Sequence, residues 1–296
     1  MANTSIKALR KEAKTQLSDN FSRALAVFSI SLLFSTFFLM LDQIFGSFLE
    51  GGAAYLSGTE NENIISDSLT EMAGKVWGMI AVPSFLISIA MLVFDFLITS
   101  PYKMGTSWWY YSLAANGNVQ VGNVFAFYKT NKDYSSALMF EIQLFFKLAV
   151  YAILSFAPSV IAFIMSFELR GDEYILKPDM EGKGLLLVSL ALLIVGVIVY
   201  IALSLNYFLA RYLFAIGDSL TPKEAFERSK LIMHGDKSSV ISMAFSLLGW
   251  YLSCIFIVPI GYVVPLHNAC MARCARNIIE KHKNYESSNQ NRFVEL

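Results

Sequence analysis

Three ionisable side chains lie inside long apolar stretches of the sequence, and their chemistry is the first question that the chain poses. They are Asp95, Glu141 and Lys147. An ionised group inside a bilayer is costly, so such residues face neighbouring helices or a polar cavity and often mark pathways for ions or substrates. At the rise of an α-helix, Asp95 is about 10 Å and Lys147 about 16 Å from the inner ends of their segments, and a lysine side chain bridges several Å. We therefore predict an intramembrane polar cluster in which Asp95 pairs with Lys147, with Glu141 and Asn206 in the same cleft.

This polar cluster has more than one interpretation. It is an ion or substrate relay, a structural clasp between helices, or a set of groups that face water at the inner leaflet. We favour the clasp. If Asp95 and Lys147 form a pair, exchanging the two residues should preserve folding.

A second set of candidate ligands lies nearer the carboxyl-terminal end. His267, Cys270 and Cys274 are spaced at i, i+3 and i+7, which places them on one face of a helix. Imidazole and thiolate groups are ligands for zinc and copper. This face lacks a fourth ligand, although Met271 is adjacent. Metal binding is therefore the weaker interpretation, and packing of small residues against neighbouring helices is the better one.

The sequence carries no recognisable catalytic signature. It contains no Walker loop, no HExxH motif and no GxSxG motif. The formal net charge is +0, which gives no basis for nucleic-acid binding. We therefore expect a non-enzymatic protein without a cofactor.

The composition is that of an integral membrane protein. Of the 296 residues, 55% are hydrophobic and 16% are charged, against roughly 25% charged in soluble domains. The mean hydropathy is +0.52. Several apolar runs reach the roughly 20 residues that a helix needs to cross a bilayer. The six predicted transmembrane helices are 24–49, 76–100, 136–167, 185–212, 239–257 and 261–278.

The distribution of basic residues predicts the topology. Eighteen Lys and Arg residues fall in the amino-terminal segment, in the loops after the second and fourth spans, and in the carboxyl-terminal tail. Four fall in the loops after the first and third spans. The positive-inside rule then places the first group, and both termini, in the cytoplasm, with the chain as a multi-pass protein of the cell membrane. An even number of spans is required for this arrangement.

We expect each hairpin of spans to follow an amphipathic helix on the cytoplasmic membrane surface. In 5–20, apolar residues recur at helical spacing among Lys and Arg, a pattern typical of helices that lie on lipid headgroups. The alternative is a solvated start to the first span. The second such segment is 119–132. The third begins at Thr221 and Pro222, with a threonine N-cap and a proline in the first turn. Its charged face is either solvated or a docking site for a cytoplasmic partner.

Three similar turns suggest an internal repeat. Asn20, Asp133 and Asp236 each stand two residues before a serine and just before an odd-numbered span. Asn and Asp side chains cap the free amide groups at a helix start. The alternative is that every helix entering a membrane selects such a cap. The predicted units are 5–116, 117–216 and 217–284, which form one integral membrane domain (1–284) followed by a polar tail (285–296).

Several short motifs resemble those of a bacterial integral-membrane family, domain of unknown function 975. The chain has a Met-x-Gly-Asp-Lys turn where the family has Met-x-Gly-Asn-Lys, and a Ser-Leu-Leu-Gly-Trp core where the family has Ser-Phe-Ile-Gly-Trp. Asp236 stands where the family favours Asn, and Leu266 replaces the usual Tyr. The resemblance implies a bacterial multi-span membrane protein with no established activity, so it assigns no functional residues. The matching segments are 101–105, 224–229, 233–237, 246–250 and 264–266.

Together these features predict an all-α, polytopic membrane protein with about six transmembrane helices in three hairpins. The function that we expect is that of an accessory or scaffold protein of the bacterial envelope, or of a transport or immunity system. Its partners would be membrane lipids and another membrane protein or transporter subunit. The alternative is a small transporter or lipid-handling protein that uses the polar cleft. A scaffold should pack the polar cluster dry, whereas a transporter needs a water-filled cavity there.

Overall fold

The computed structural model describes residues 5–57, 67–170, 173–176, 180–217, 220–256 and 259–294. For 48–57, 67–84, 168–170, 173–176, 180–181 and 285–294 this description is of the backbone alone. Long α-helices make up most of these ranges. They are α1 (Ile6–Asp19), α2 (Phe21–Ser57), α3 (Asp67–Asn116), α4 (Asn131–Met165), α5 (Met180–Ser204), α6 (Ala210–Ile216), α7 (Pro222–Ser246), α8 (Leu248–Ser253) and α9 (Ile260–Val294).

Shorter elements connect the helices. Val121–Tyr128 forms a 3-10 helix between α3 and α4, and Leu205–Tyr207 and Cys254–Phe256 form 3-10 turns. β1 (Phe167–Arg170) and β2 (Glu173–Leu176) pair as antiparallel strands. This pair of short strands lies within the segment after the third span, for which no strand was predicted.

The predicted class, a helical membrane protein, is confirmed. Five helical stretches in the described part of the chain are long and apolar enough to cross a membrane. The predicted sixth span, 261–278, forms the first part of α9 and is not among the five, since His267, Asn268 and Arg273 lower its hydropathy. The five stretches are Phe21–Ser47, Phe85–Asn116, Asn131–Met165, Gly182–Ile216 and Pro222–Phe256.

The buried core is concentrated at one end of the long helices. It forms where α1, the start of α2, the end of α3, α7 and α9 meet, and it contains large side chains such as Trp109 and Met233. Beyond this core, α2, α4 and α5 present exposed apolar side chains such as Leu39, Ile153 and Ile198. Extended apolar surfaces of this kind are stable only against an apolar partner or lipid. The division therefore separates a protein-packed end from a lipid-facing part.

α9 is the central helix of the packed end. It contacts α1, α2, α3 and α7, and most of its core residues lie in its first half. Small side chains, such as those of Ala269, Cys270 and Ala275, are buried there and allow the neighbouring backbones to approach closely. Arg273 Nη1 donates to the carbonyl oxygen of Ala114 at 2.8 Å and ties α9 to the end of α3. Polar residues are tolerated in this half of α9 because protein surrounds it.

The helices α4 and α5 pack closely along each other. A Cβ atom built on Gly196 would lie 2.6 Å from the carbonyl oxygen of Ser155, so the contact requires glycine. Ser159 Oγ donates to the carbonyl oxygen of Ser189 at 2.8 Å. Small residues and a hydroxyl-to-carbonyl bond are the usual means by which apolar helices associate in lipid.

The turn predicted at Asp236 does not form, and this prediction is corrected. α7 is continuous through this position and joins the predicted third surface helix to the predicted fifth span. The Asp236 carboxylate is buried and accepts hydrogen bonds from Lys281 Nζ at 2.7 Å and from His282 Nε2 at 3.1 Å. The carboxylate therefore has partners on α9 and does not compete for backbone amides, so the helix continues.

The start of α7 agrees with the prediction. Thr221 is the N-cap and Pro222 occupies the first turn. The Thr221 hydroxyl accepts from the Glu224 amide at 3.4 Å, and the Glu224 carboxylate accepts from the Thr221 amide at 3.0 Å. This reciprocal capping box satisfies two donors that a helix start leaves free.

Candidate functional site

The best-defined polar contact inside the bundle joins Glu141 to Arg211. The guanidinium donates two hydrogen bonds to the carboxylate, from Nε to Oε1 at 2.8 Å and from Nη2 to Oε2 at 2.9 Å. Glu141 is 5% exposed, whereas the side chain of Arg211 is 38% exposed. Two parallel charge-assisted bonds fix both the distance and the orientation of the groups. The contact therefore ties α4 to α6.

A break between α5 and α6 positions Arg211. α5 ends at Ser204, and a 3-10 turn separates it from α6. Ser229 Oγ donates to the carbonyl oxygen of Asn206 at 2.7 Å, and Lys237 Nζ donates to that of Ala202 at 3.1 Å. Carbonyl groups at the end of a helix lack intrahelical donors and need such partners. α7 therefore stabilises the break that brings Arg211 to Glu141.

Lys147 lies over an aromatic cluster. Its Nζ atom is 5.3 Å from the ring centre of Phe226 and 5.8 Å from that of Tyr207. A cation at this distance is attracted to the face of the ring. The hydroxyls of Tyr207 and Tyr151 are hydrogen-bonded at 3.1 Å, and Phe226 stacks on Phe140 with ring centres 4.7 Å apart. This aromatic cluster joins α4, the 3-10 turn and α7.

Asp95 lies apart from the other predicted members of the polar cluster. It is half-buried on α3, and no ion pair between it and Lys147 is found among the described residues. The Tyr134 hydroxyl donates to the carbonyl oxygen of Leu97 at 3.1 Å, which places Asp95 level with the first turns of α4. Lys147 is about 20 Å further along α4. The structure thus brings Glu141, Lys147 and Asn206 into one region and leaves Asp95 outside it.

A cleft of about 390 Å³ opens beside Arg211. Residues of α3, α4, α9 and the connection between α5 and α6 line it, with apolar groups such as Leu148 and Met271 and polar groups at His267 and Asn268. An apolar wall with a few fixed polar groups is typical of sites for small or amphipathic molecules. The charge of Arg211 is already neutralised by its carboxylate partner, so the cleft favours no strongly charged ligand.

Packing between helices explains the positions of the candidate metal ligands better than metal binding does. Cys270 and Cys274 are free thiols in the buried core, and the Tyr251 hydroxyl is hydrogen-bonded to Nδ1 of His267. Among the residues that the structure describes, no group of three or more His, Cys, Asp or Glu side chains is arranged to hold a metal ion. The small thiols fill the space between α9 and its neighbours.

Asn20 and Asp133 lie at helix ends, in roles other than the predicted side-chain cap. Asn20 lies between α1 and α2, and its Nδ2 donates to the carbonyl oxygen of Gly117 at 2.7 Å, which joins this corner to the end of α3. Asp133 is in the first turn of α4, whose N-cap is Thr130; the Thr130 hydroxyl accepts from the Asp133 amide at 3.3 Å. The three-unit repeat remains a prediction.

The 3-10 helix Val121–Tyr128 is held tightly against α3. A Cβ atom built on Gly105 would lie 1.8 Å from the carbonyl oxygen of Val124, so the two backbones meet at this glycine. The Tyr128 hydroxyl donates to the carbonyl oxygen of Ile98. Burial raises the pKa of the Tyr128 phenol to about 12.

Sequence reasoning did not identify Arg211 as the partner of Glu141. A signal was present, because Arg211 lies near the inner end of the predicted fourth span and Glu141 near the inner end of the third. Neighbouring antiparallel spans place such positions at similar depth. Ser229 carried no comparable signal, since a serine in a polar helix has many ordinary partners.

No curated protein and no solved structure matches the chain. One family model matches, and it covers residues 1–279, which is most of the chain. The resemblance seen in the short motifs is thereby confirmed, and the chain belongs to the family described as protein of unknown function DUF975.

Proposed function

We propose that this protein is a non-enzymatic accessory or scaffold protein of the bacterial envelope that works with a transport or immunity system. The observation that carries this proposal is the Glu141–Arg211 contact. A buried carboxylate whose two oxygens are both hydrogen-bonded to one guanidinium holds its helices in a single arrangement. A relay for ions needs groups that change partners. The pair therefore favours the structural clasp.

In this proposal six membrane segments form three hairpins, and both termini are cytoplasmic. Basic segments from distant parts of the chain meet at the packed end of the bundle. Arg273 Nε donates to Glu12 at 3.0 Å, and Lys281 Nζ donates to Asp236 at 2.7 Å. α1, the middle of α7 and the part of α9 from Arg273 onward therefore share one side. The positive-inside rule supports a cytoplasmic location for that side.

Purification from native membranes tests the accessory role. The tagged chain is extracted in a mild detergent, and its associated proteins and lipids are identified by mass spectrometry. We expect one membrane protein or transporter subunit to be retained in a stoichiometric amount. The test variant is Arg211→Met, which removes the Glu141–Arg211 contact and should lose this partner. A chain that is purified alone and moves a solute in liposomes would contradict the proposal.

A second candidate function, handling of a lipid or another amphipathic molecule, is favoured by the cleft beside Arg211. The cleft volume of about 390 Å³ fits part of a lipid and not a whole one. Leu148 lines the cleft, so Leu148→Trp should fill it and reduce the lipid that is retained on purification. The control is Leu154→Trp on the exposed face of the same helix. Equal lipid retention in both variants would exclude this second function.

A further inference from the structure

The basic side of α1 forms a pocket separate from the central cleft. Leu9, Ala13 and Leu17 bury one side of α1 in the core. The remaining side carries basic residues at helical spacing. Together with two residues of α8 and α9 they enclose a pocket of about 360 Å³, here called the α1 pocket. It is lined by Lys7, Arg10, Lys11, Lys14, Trp250 and Leu266.

The α1 pocket concentrates positive charge. Its lining contains four basic side chains and no carboxylate. Glu12, on the same helix, is turned away and accepts a hydrogen bond from Arg273 Nε at 3.0 Å. None of the four basic residues forms an ion pair with a carboxylate in the described part of the chain. An anion is therefore the ligand that complements this pocket.

Two of the basic groups are held in place. Arg10 Nη1 donates to the carbonyl oxygen of Ser246 at 2.8 Å, and this bond joins α1 to the end of α7. Lys14 Nζ lies 5.8 Å from the ring centre of Trp250. Tryptophan is enriched at the boundary between hydrocarbon and headgroups. The charged groups are thus fixed beside a residue typical of the membrane interface.

Exposed apolar residues neighbour the residues of the pocket in sequence. Phe245, Leu248 and Leu252 flank Ser246 and Trp250 in sequence, and each is more than half exposed. A ligand with a phosphate at one end and acyl chains at the other matches both surfaces. A soluble phosphate compound would use only the basic part. We propose that the α1 pocket binds the headgroup phosphate of an anionic phospholipid, with the acyl chains against α7 and α8.

Titration of the full-length protein with fluorescent phosphatidylglycerol in non-ionic detergent micelles tests this site, with fluorescent phosphatidylcholine as the neutral lipid. The test variant is Lys7→Gln/Lys11→Gln/Lys14→Gln, in which Arg10 is kept because its hydrogen bond supports the fold. These three lysines are exposed, so folding should be preserved. We expect phosphatidylglycerol affinity to fall on the order of 100-fold, since each basic group near an anionic lipid contributes about fivefold.

The matched control removes the same charge from another exposed surface: Lys129→Gln/Lys223→Gln/Lys230→Gln. It should change the affinity less than about threefold, because these lysines are remote from the lipid and screened by salt. Glycerol phosphate, which lacks acyl chains, should not displace the bound lipid. The proposal is overturned if the two triple variants lose affinity equally, if phosphatidylcholine binds as tightly as phosphatidylglycerol, or if glycerol phosphate competes as well as the lipid.

Discussion

The Glu141 carboxylate is buried, whereas its partner Arg211 is only partly buried. The stability of the protein should therefore depend more on keeping Arg211, which neutralises the buried charge, than on keeping Glu141. Arg211→Met leaves a buried carboxylate without a partner and should cost about 2 kcal/mol, below the full cost for a completely buried pair because Arg211 is in part solvated. For a chain of this size we expect the Tm in detergent to fall by about 5 °C.

The double variant Glu141→Gln/Arg211→Met provides the control for this prediction. It removes both charges, so the melting temperature should recover most of the loss. Lys132→Gln serves as a second control, because it removes a charge from α4 at an exposed position. If Arg211→Met and Lys132→Gln destabilise the protein equally, the Glu141–Arg211 contact does not have the role assigned to it.

A second prediction concerns the close packing at Gly105. Gly105→Ala places a methyl group 1.8 Å from a backbone oxygen that belongs to the 3-10 helix Val121–Tyr128, so this segment has to move away from α3. Overpacking of this kind costs on the order of 3 kcal/mol. We expect loss of a monodisperse peak in size-exclusion chromatography.

Gly235→Ala is the matched control for Gly105→Ala. Nothing lies within 4 Å of a Cβ atom built there, and the residue is inside α7. Alanine favours a helix over glycine by about 1 kcal/mol, so this variant should be as stable as the natural chain or slightly more stable. A destabilised Gly235→Ala protein would contradict the continuous α7.

The association of α4 with α5 depends on small residues. Gly196→Val forces the helices apart, because even a Cβ atom there would lie 2.6 Å from the carbonyl oxygen of Ser155. Hydrogen exchange measured by mass spectrometry should rise in both helices. Gly184→Val, at an open position of α5, should leave exchange unchanged. Equal exchange in the two variants would show that the contact is not required.

The helices themselves were predictable, and the places where they break were not. Apolar runs and caps define local structure, so the bounds of α1 and the start of α7 at Thr221 follow from the sequence. The break after Ser204 depends on donors 23 and 35 residues away along the chain. The continuity of α7 depends on partners of Asp236 that lie 45 and 46 residues away. No local pattern reports such contacts, and the same holds for the choice of Arg211 by Glu141.

The whole molecule has two parts: an apolar part that suits the hydrocarbon of a bilayer, and a protein-packed end that carries the basic segments. From Gly182 to Ala202, α5 is about 30 Å long, which matches the hydrocarbon thickness of a bilayer. Its exposed residues over this length include Leu187 and Ile198. The buried core, the basic segments and the α1 pocket lie towards the packed end of the long helices. We expect the membrane boundary near Ala202 and Lys237, which are hydrogen-bonded to each other.

The arrangement of the chain across this boundary gives the last prediction. Five crossings would leave the termini on opposite sides, whereas the Glu12–Arg273 and Asp236–Lys281 contacts hold α1 and the part of α9 from Arg273 onward at one end of the bundle. In a cysteine-free background, a membrane-impermeant maleimide should label Arg170→Cys on intact cells. Asn118→Cys and a cysteine added after Leu296 should be labelled only after permeabilisation. In the proposed topology both lie on the cytoplasmic side, with the basic segments. Labelling of the carboxyl-terminal cysteine on intact cells would indicate an odd number of crossings and would contradict the cytoplasmic location proposed for both termini.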